Sequence, residues 1–81
     1  MAKSILERRI AFVKATAAML GASVNMSKRN LWNVVVDNKH AGQIRYEPRI
    51  NLWVATTGKE STVGDLAGCL QFVICRCRPG N

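Results

Sequence analysis

The chain has few of the groups that carry out chemistry. Its 81 residues include one histidine, His40, and five acids against 12 lysines and arginines. The acids are scattered, and no expected element brings two of them onto one face, as general acid and base work requires. His40 falls in a turn composition beside Lys39 and Asp37, without an orienting partner. The residues therefore predict no enzyme and no catalytic group. Cysteine is sparse too: Cys69, Cys75 and Cys77 are odd in number and clustered late. That argues against a disulfide framework and predicts a reducing, cytoplasmic setting. The Cys75-Arg76-Cys77 spacing is not the two-residue gap of zinc knuckles, and on a helix its thiols would point about 200° apart. The thiols read as small core residues, and no metal or cofactor is expected. No run reaches membrane-spanning length. Lys3, Glu7, Arg8, Arg9 and Lys14 break up the first twenty residues, which do not read as a signal peptide. No membrane partner is expected.

What is present is aliphatic bulk and positive charge. A hydrophobic content of 48% argues for a folded core and against disorder. One domain, residues 1–81, fits the length, although so small a domain buries only about 60% of the surface its unfolded chain exposes. The net charge is +7 and the isoelectric point about 10.0. Such an excess attracts polyanions, phosphate backbones first among them, through release of condensed counterions.

Periodicity predicts an α+β domain ordered helix, three-stranded antiparallel sheet, helix, with both helices on one sheet face. Ser4-Ile5-Leu6-Glu7 fits a capping box that opens a helix over 4–20. Leu6, Ile10, Val13, Ala17 and Leu20 form its apolar stripe, Ile5, Phe12 and Met19 widen it, and Gly21 suits a left-handed cap. Residues 21–30 are polar and read as a linker. Strands are expected at Leu31–Val36, Ala41–Tyr46 and Leu52–Thr57, joined by turns within the sheet 31–57. Ser61 or Thr62 would cap a last helix over 61–76, with Gly64 and Gly68 allowing close approach to the sheet. A fourth strand over 69–77 is the competing reading. A basic tail would close the chain at 77–81.

Alternation assigns Trp32, Val34, Val36, Ile44, Trp53 and Ala55 to the covered face of the sheet. Asn33, Val35, Gln43, Arg45, Val54 and Thr56 go to the open one. Arg45 and Gln43 on the central strand, with Asn33 and Thr56 beside them, can read base edges. Lys28, Arg29, Lys39 and Arg49 are expected in flanking loops, suited to phosphates. Lys59, beside the expected helix start, can hold one more phosphate. Gly58-Lys59-Glu60-Ser61-Thr62 lacks the upstream glycine of a phosphate loop and has Glu60 between lysine and serine. Both tryptophans fall on the covered face, which disfavours single-strand binding by stacking.

The pattern Trp32-x-Val34, Gly42-x-Ile44, Trp53-x-Ala55 followed by a helix resembles AP2-type and integrase-arm DNA-binding domains over residues 31–76. The resemblance implies base contacts from sheet residues, here Arg45 and its strand neighbours. The element order is also similar to that of double-stranded-RNA-binding domains. Ser61-Thr62-Val63-Gly64-Asp65 stands where their second helix starts with a basic run, and this counts against duplex RNA. In size and composition the chain resembles small phage and mobile-element proteins. The expected function is nucleic-acid binding, duplex DNA first. The alternative is a protein-interaction module, such as a phage-type inhibitor docking on an acidic or nucleic-acid-binding surface. A homodimer through a sheet edge, or through Val35 and Val54, is a third option.

Overall fold

The computed structural model describes residues 4–77. Helix α1 (Ile5–Met19) precedes strands β1 (Ser23–Lys28), β2 (Leu31–Val36), β3 (Lys39–Glu47), β4 (Leu52–Thr57) and β5 (Glu60–Gly64), and helix α2 (Leu66–Cys77) closes the fold. The strands form one antiparallel meander in the order β1-β2-β3-β4-β5. The α+β class and the shared helix face are as the sequence predicts, but the sheet has five strands, not three. Among the described residues, no helix is long and apolar enough to cross a membrane.

The first helix begins and ends as its residues dictate. Ser4 Oγ accepts the Glu7 N–H at 3.1 Å, which satisfies one of the free amides of the first turn. At the other end Gly21 takes φ +80°. The amides of Gly21 and Ala22 then bond back to Ala18 and Ala17 at 3.1 and 2.9 Å. This is the left-handed closure that satisfies terminal carbonyls.

The segment expected as a linker contains β1 instead. Ser23-Val24-Asn25-Met26 alternates with period two, but β1 is an edge strand and only Val24 in it is buried. Its composition is therefore polar for a strand. The turn after it uses Asn30 at φ +62°, a conformation asparagine tolerates better than most residues. A second correction concerns 61–76. Ser61 and Thr62 cap nothing; they pair with Thr56 and Ala55 in β5. Asp65 opens α2, its Oδ1 accepting the Gly68 N–H at 2.8 Å. Residues 69–77 are helical. Arg76 forms an ion pair with Glu60; Cys77, expected as the first residue of the basic tail, ends α2, and residues 78–81 of that tail lie outside the described residues.

The core lies between the sheet and the helices. Helix α2 crosses β2 to β5, while α1 sits over β1 and against α2. Val13, Ala17, Trp32, Val34, Ile44, Ala55, Leu70 and Val73 are wholly buried. Close approach of α2 is enabled by Gly42, not by Gly64 or Gly68. A Cβ on Gly42 would sit 2.6 Å from the Thr56 carbonyl oxygen and 3.1 Å from Val73 Cγ1. Trp53 stacks at a tilt against Trp32 and Tyr46, with ring centroids 5.4 and 5.1 Å away. The Arg9 guanidinium lies 4.1 Å from the Tyr46 ring centre and donates to Asn30 Oδ1 at 2.7 Å, tying α1 to the β1–β2 turn.

Candidate nucleic-acid interface

The strand registers order the open face into rows. One runs Asn25, Asn33, Gln43, Thr56, Ser61 across all five strands. Every member is a neutral hydrogen-bonding side chain. Gln43 Nε2 donates to Asn33 Oδ1 at 3.0 Å, which leaves the other amide groups of the pair for a partner. The neighbouring row runs Lys28, Leu31, Arg45, Val54, Val63. Its two cations alternate with aliphatics, and Arg45 is exposed at the middle of the sheet. Among the described residues, no element packs against this face.

Four of the nine expected residues, Arg45, Gln43, Asn33 and Thr56, therefore share one surface. Lys28 joins them: it is in β1, not in a loop, because a bulge between Met26 and Lys28 brings it opposite Leu31. The remaining four divide between the two ends of the sheet. Arg29 in the β1–β2 turn and Arg49 in the β3–β4 turn lie at one end, where Tyr46 N–H donates to the Asn30 carbonyl at 2.9 Å. Lys39 and Lys59 lie at the other, about 20 Å away for six-residue strands. Lys39 pairs with Val36 and shares its covered side, so it reaches the open face only from the rim. Lys59 stands in the β4–β5 hairpin turn after Gly58 (φ +56°), not beside a helix start. The expected helix-terminal phosphate site is thereby lost.

Charge is uneven between the ends. Lys28, Arg29, Arg45 and Arg49 cluster toward one end against Glu47, whose carboxylate accepts the Arg49 N–H at 3.4 Å. The other end mixes Lys39 and Lys59 with Asp37 and Glu60. Among the described residues Arg76–Glu60 is the one ion pair, so the basic end keeps its charge for a partner.

Asn25, Ser61, Leu31 and Val63 complete the face and were not foreseen in the sequence. Their signals were faint: Val24 and Met26 at period two, and Thr62-Val63 after a two-residue Gly58-Lys59 turn. The cysteines stand apart from this surface. Cys69 is buried with its thiol donating to the Trp53 carbonyl at 3.4 Å. Burial, and then the negative charge of Asp65, push its pKa upward. Comparisons with family models, curated proteins and solved structures return no match.

Proposed function

We propose that this chain is a nucleic-acid-binding module that applies its open sheet face to duplex DNA. The observation that carries this reading is the five-strand polar row beside Arg45 and Lys28 on an uncovered face. Five strands at about 4.8 Å spacing span roughly 19 Å, wider than the ~12 Å major groove. The whole slab cannot enter. The sheet instead rests across the groove, with Arg45 and Gln43 of central β3 reaching toward base edges. Asn33 and Thr56 flank them on β2 and β4, and the outer strands lie over the phosphate rims. Lys28, Arg29 and Arg49 hold phosphates at the basic end, and Lys39 and Lys59 do so at the other. The AP2-type resemblance covers β2–β4 and α2 of this arrangement; β1 and β5 widen it.

A second reading rests on a specific feature. Leu31, Val35, Val54 and Val63 put aliphatic surface among the polar groups of the same face, which suits an acidic protein partner. A salt series against duplex DNA, single strands and duplex RNA separates the two. With three to five phosphates neutralised, duplex DNA affinity should fall about 40- to 500-fold between 50 and 200 mM salt. Arg45→Ala should weaken binding to a selected duplex by about 1–3 kcal/mol. Absence of binding to all three at low salt would favour the protein partner. Unchanged binding by Arg45→Ala would remove the sheet face from the interface.

A further inference from the structure

The open face carries one side-chain pair that is already joined. Asn33 and Gln43 stand opposite each other on β2 and β3, both half-buried, and Gln43 Nε2 donates to Asn33 Oδ1 at 3.0 Å. That bond holds the Gln43 amide in one orientation. Its oxygen and its second N–H are left free, one acceptor beside one donor. Two residues along β3, Arg45 stands on the same face. Its register neighbours Leu31 and Val54 offer its side chain nothing to bond, and it takes no part in the one ion pair among the described residues. Its guanidinium therefore presents a fork of parallel donors.

On the basis of the duplex-DNA reading above, we infer that the target is a duplex in which an adenine and a guanine are separated by one base pair, Gln43 reading the adenine and Arg45 the guanine. Adenine is the one base whose major-groove edge sets an acceptor, N7, beside a donor, the N6 amino group. Guanine shows two acceptors there, N7 and O6, which suit the arginine fork and repel the Gln43 oxygen. Spacing comes from the strand. Residues 43 and 45 lie about 6.8 Å apart along β3, and two base-pair steps rise by about the same distance. The match requires β3 to run along the groove. Width demands the same orientation: β2, β3 and β4 span roughly 10 Å, within the ~12 Å groove, whereas all five strands do not fit. Charge favours the same occupant, since Lys28, Arg29, Arg45 and Arg49 gather with Glu47 at one end of the sheet. Asn33 is then a positioning residue. Its oxygen is engaged by Gln43, so it acts on the adenine through the amide it holds.

Selection by the full chain from a pool of randomised duplexes tests this, followed by affinity measurements at fixed salt. Wild type should enrich an adenine and a guanine at that spacing. Replacing either base pair in a selected duplex should weaken binding about 5- to 150-fold. Gln43→Met should abolish the preference at the adenine and keep that at the guanine; Gln43→Glu serves if that variant does not fold. Arg45→Ala should do the reverse. Asn33→Ala should lose most of the adenine preference. Asn33→Asp keeps an acceptor for Gln43 and should restore that preference, while its negative charge weakens binding to every duplex alike. Salt-sensitive binding without sequence preference overturns this inference and leaves the duplex-DNA reading standing. Failure to bind any duplex overturns both. Enrichment of other bases or another spacing overturns the base assignment, and equal loss of the adenine preference in Asn33→Asp and Asn33→Ala overturns the positioning role.

Discussion

On the covered face of the sheet, Met26, Trp32, Ile44, Ala55 and Thr62 lie in register; in the next row, on the open face, lie Lys28, Leu31, Arg45, Val54 and Val63. The same five strands supply both rows. On the covered side, packing against α2 and α1 fixes size and shape, so a lost atom leaves a void. On the open side, water fills whatever a side chain vacates. Stability should therefore be concentrated on one face and partner choice on the other, and substitutions matched across the sheet can break that division.

Trp32 should give the largest effect. It is wholly buried and stacks on Trp53, and Trp32→Ala should cost about 3–5 kcal/mol. For a domain of this size that approaches the whole of its stability, so urea unfolding should find the variant largely unfolded at 25 °C. Trp32→Phe should cost much less. Among the described residues Trp32 Nε1 is the buried side-chain polar atom without a partner, and phenylalanine removes that unpaired donor. Arg45→Ala, on the opposite face of the same sheet, should change stability by less than about 0.5 kcal/mol. A large loss from Arg45→Ala would mean that the open face is part of the folding core.

Gly42→Ala sharpens the comparison at a single backbone position. The added methyl enters the space between β4 and α2, 2.6 Å from the Thr56 carbonyl oxygen. Carbonyl and helix would have to separate, at a cost of about 1–3 kcal/mol. Alanine at Gly64, where a Cβ meets nothing within 4 Å, should be close to neutral. Equal effects at the two glycines would contradict the close seating of α2.

The covered face was legible in the sequence because it obeys one rule. Trp32, Val34, Val36, Ile44, Trp53 and Ala55 alternate on strands with enough β-branched and aromatic residues to show the period. The boundaries Leu31–Val36 and Leu52–Thr57 are those the sequence predicts. The outer strands were hidden by the physics of edges. Each has one neighbour and less apolar surface to bury, so Ser23–Lys28 looked like linker and Glu60–Gly64 like the start of a helix. The candidate site inherited that gap: the Asn33–Gln43–Thr56 centre was legible, and its extension to Asn25 and Ser61 depended on the missing strands. Lys39 and Lys59 were placed by loop composition alone, which does not report at which end of a meander a turn emerges.

The smallest effect expected on the covered side is a pH dependence carried by Cys69. Its thiol is buried between α2 and β4, donates to the Trp53 carbonyl, and has its pKa raised first by burial and then by Asp65. In the unfolded chain a thiol ionises near pH 8.5. Between that value and its higher folded pKa, the unfolded state releases a proton that the folded state retains. The contribution of Cys69 is thus fully present below about pH 8.5 and is lost as pH rises toward the folded value. One proton limits the slope to about 1.4 kcal/mol per pH unit. Urea midpoints at pH 7, 9 and 10 for wild type and Cys69→Ala isolate it. The alanine variant should be less stable at pH 7, from the void it leaves, but should lose less stability as pH rises. Parallel pH curves for the two proteins would mean that the thiol ionises inside the fold as readily as in water, contrary to its position between Trp53 and Asp65.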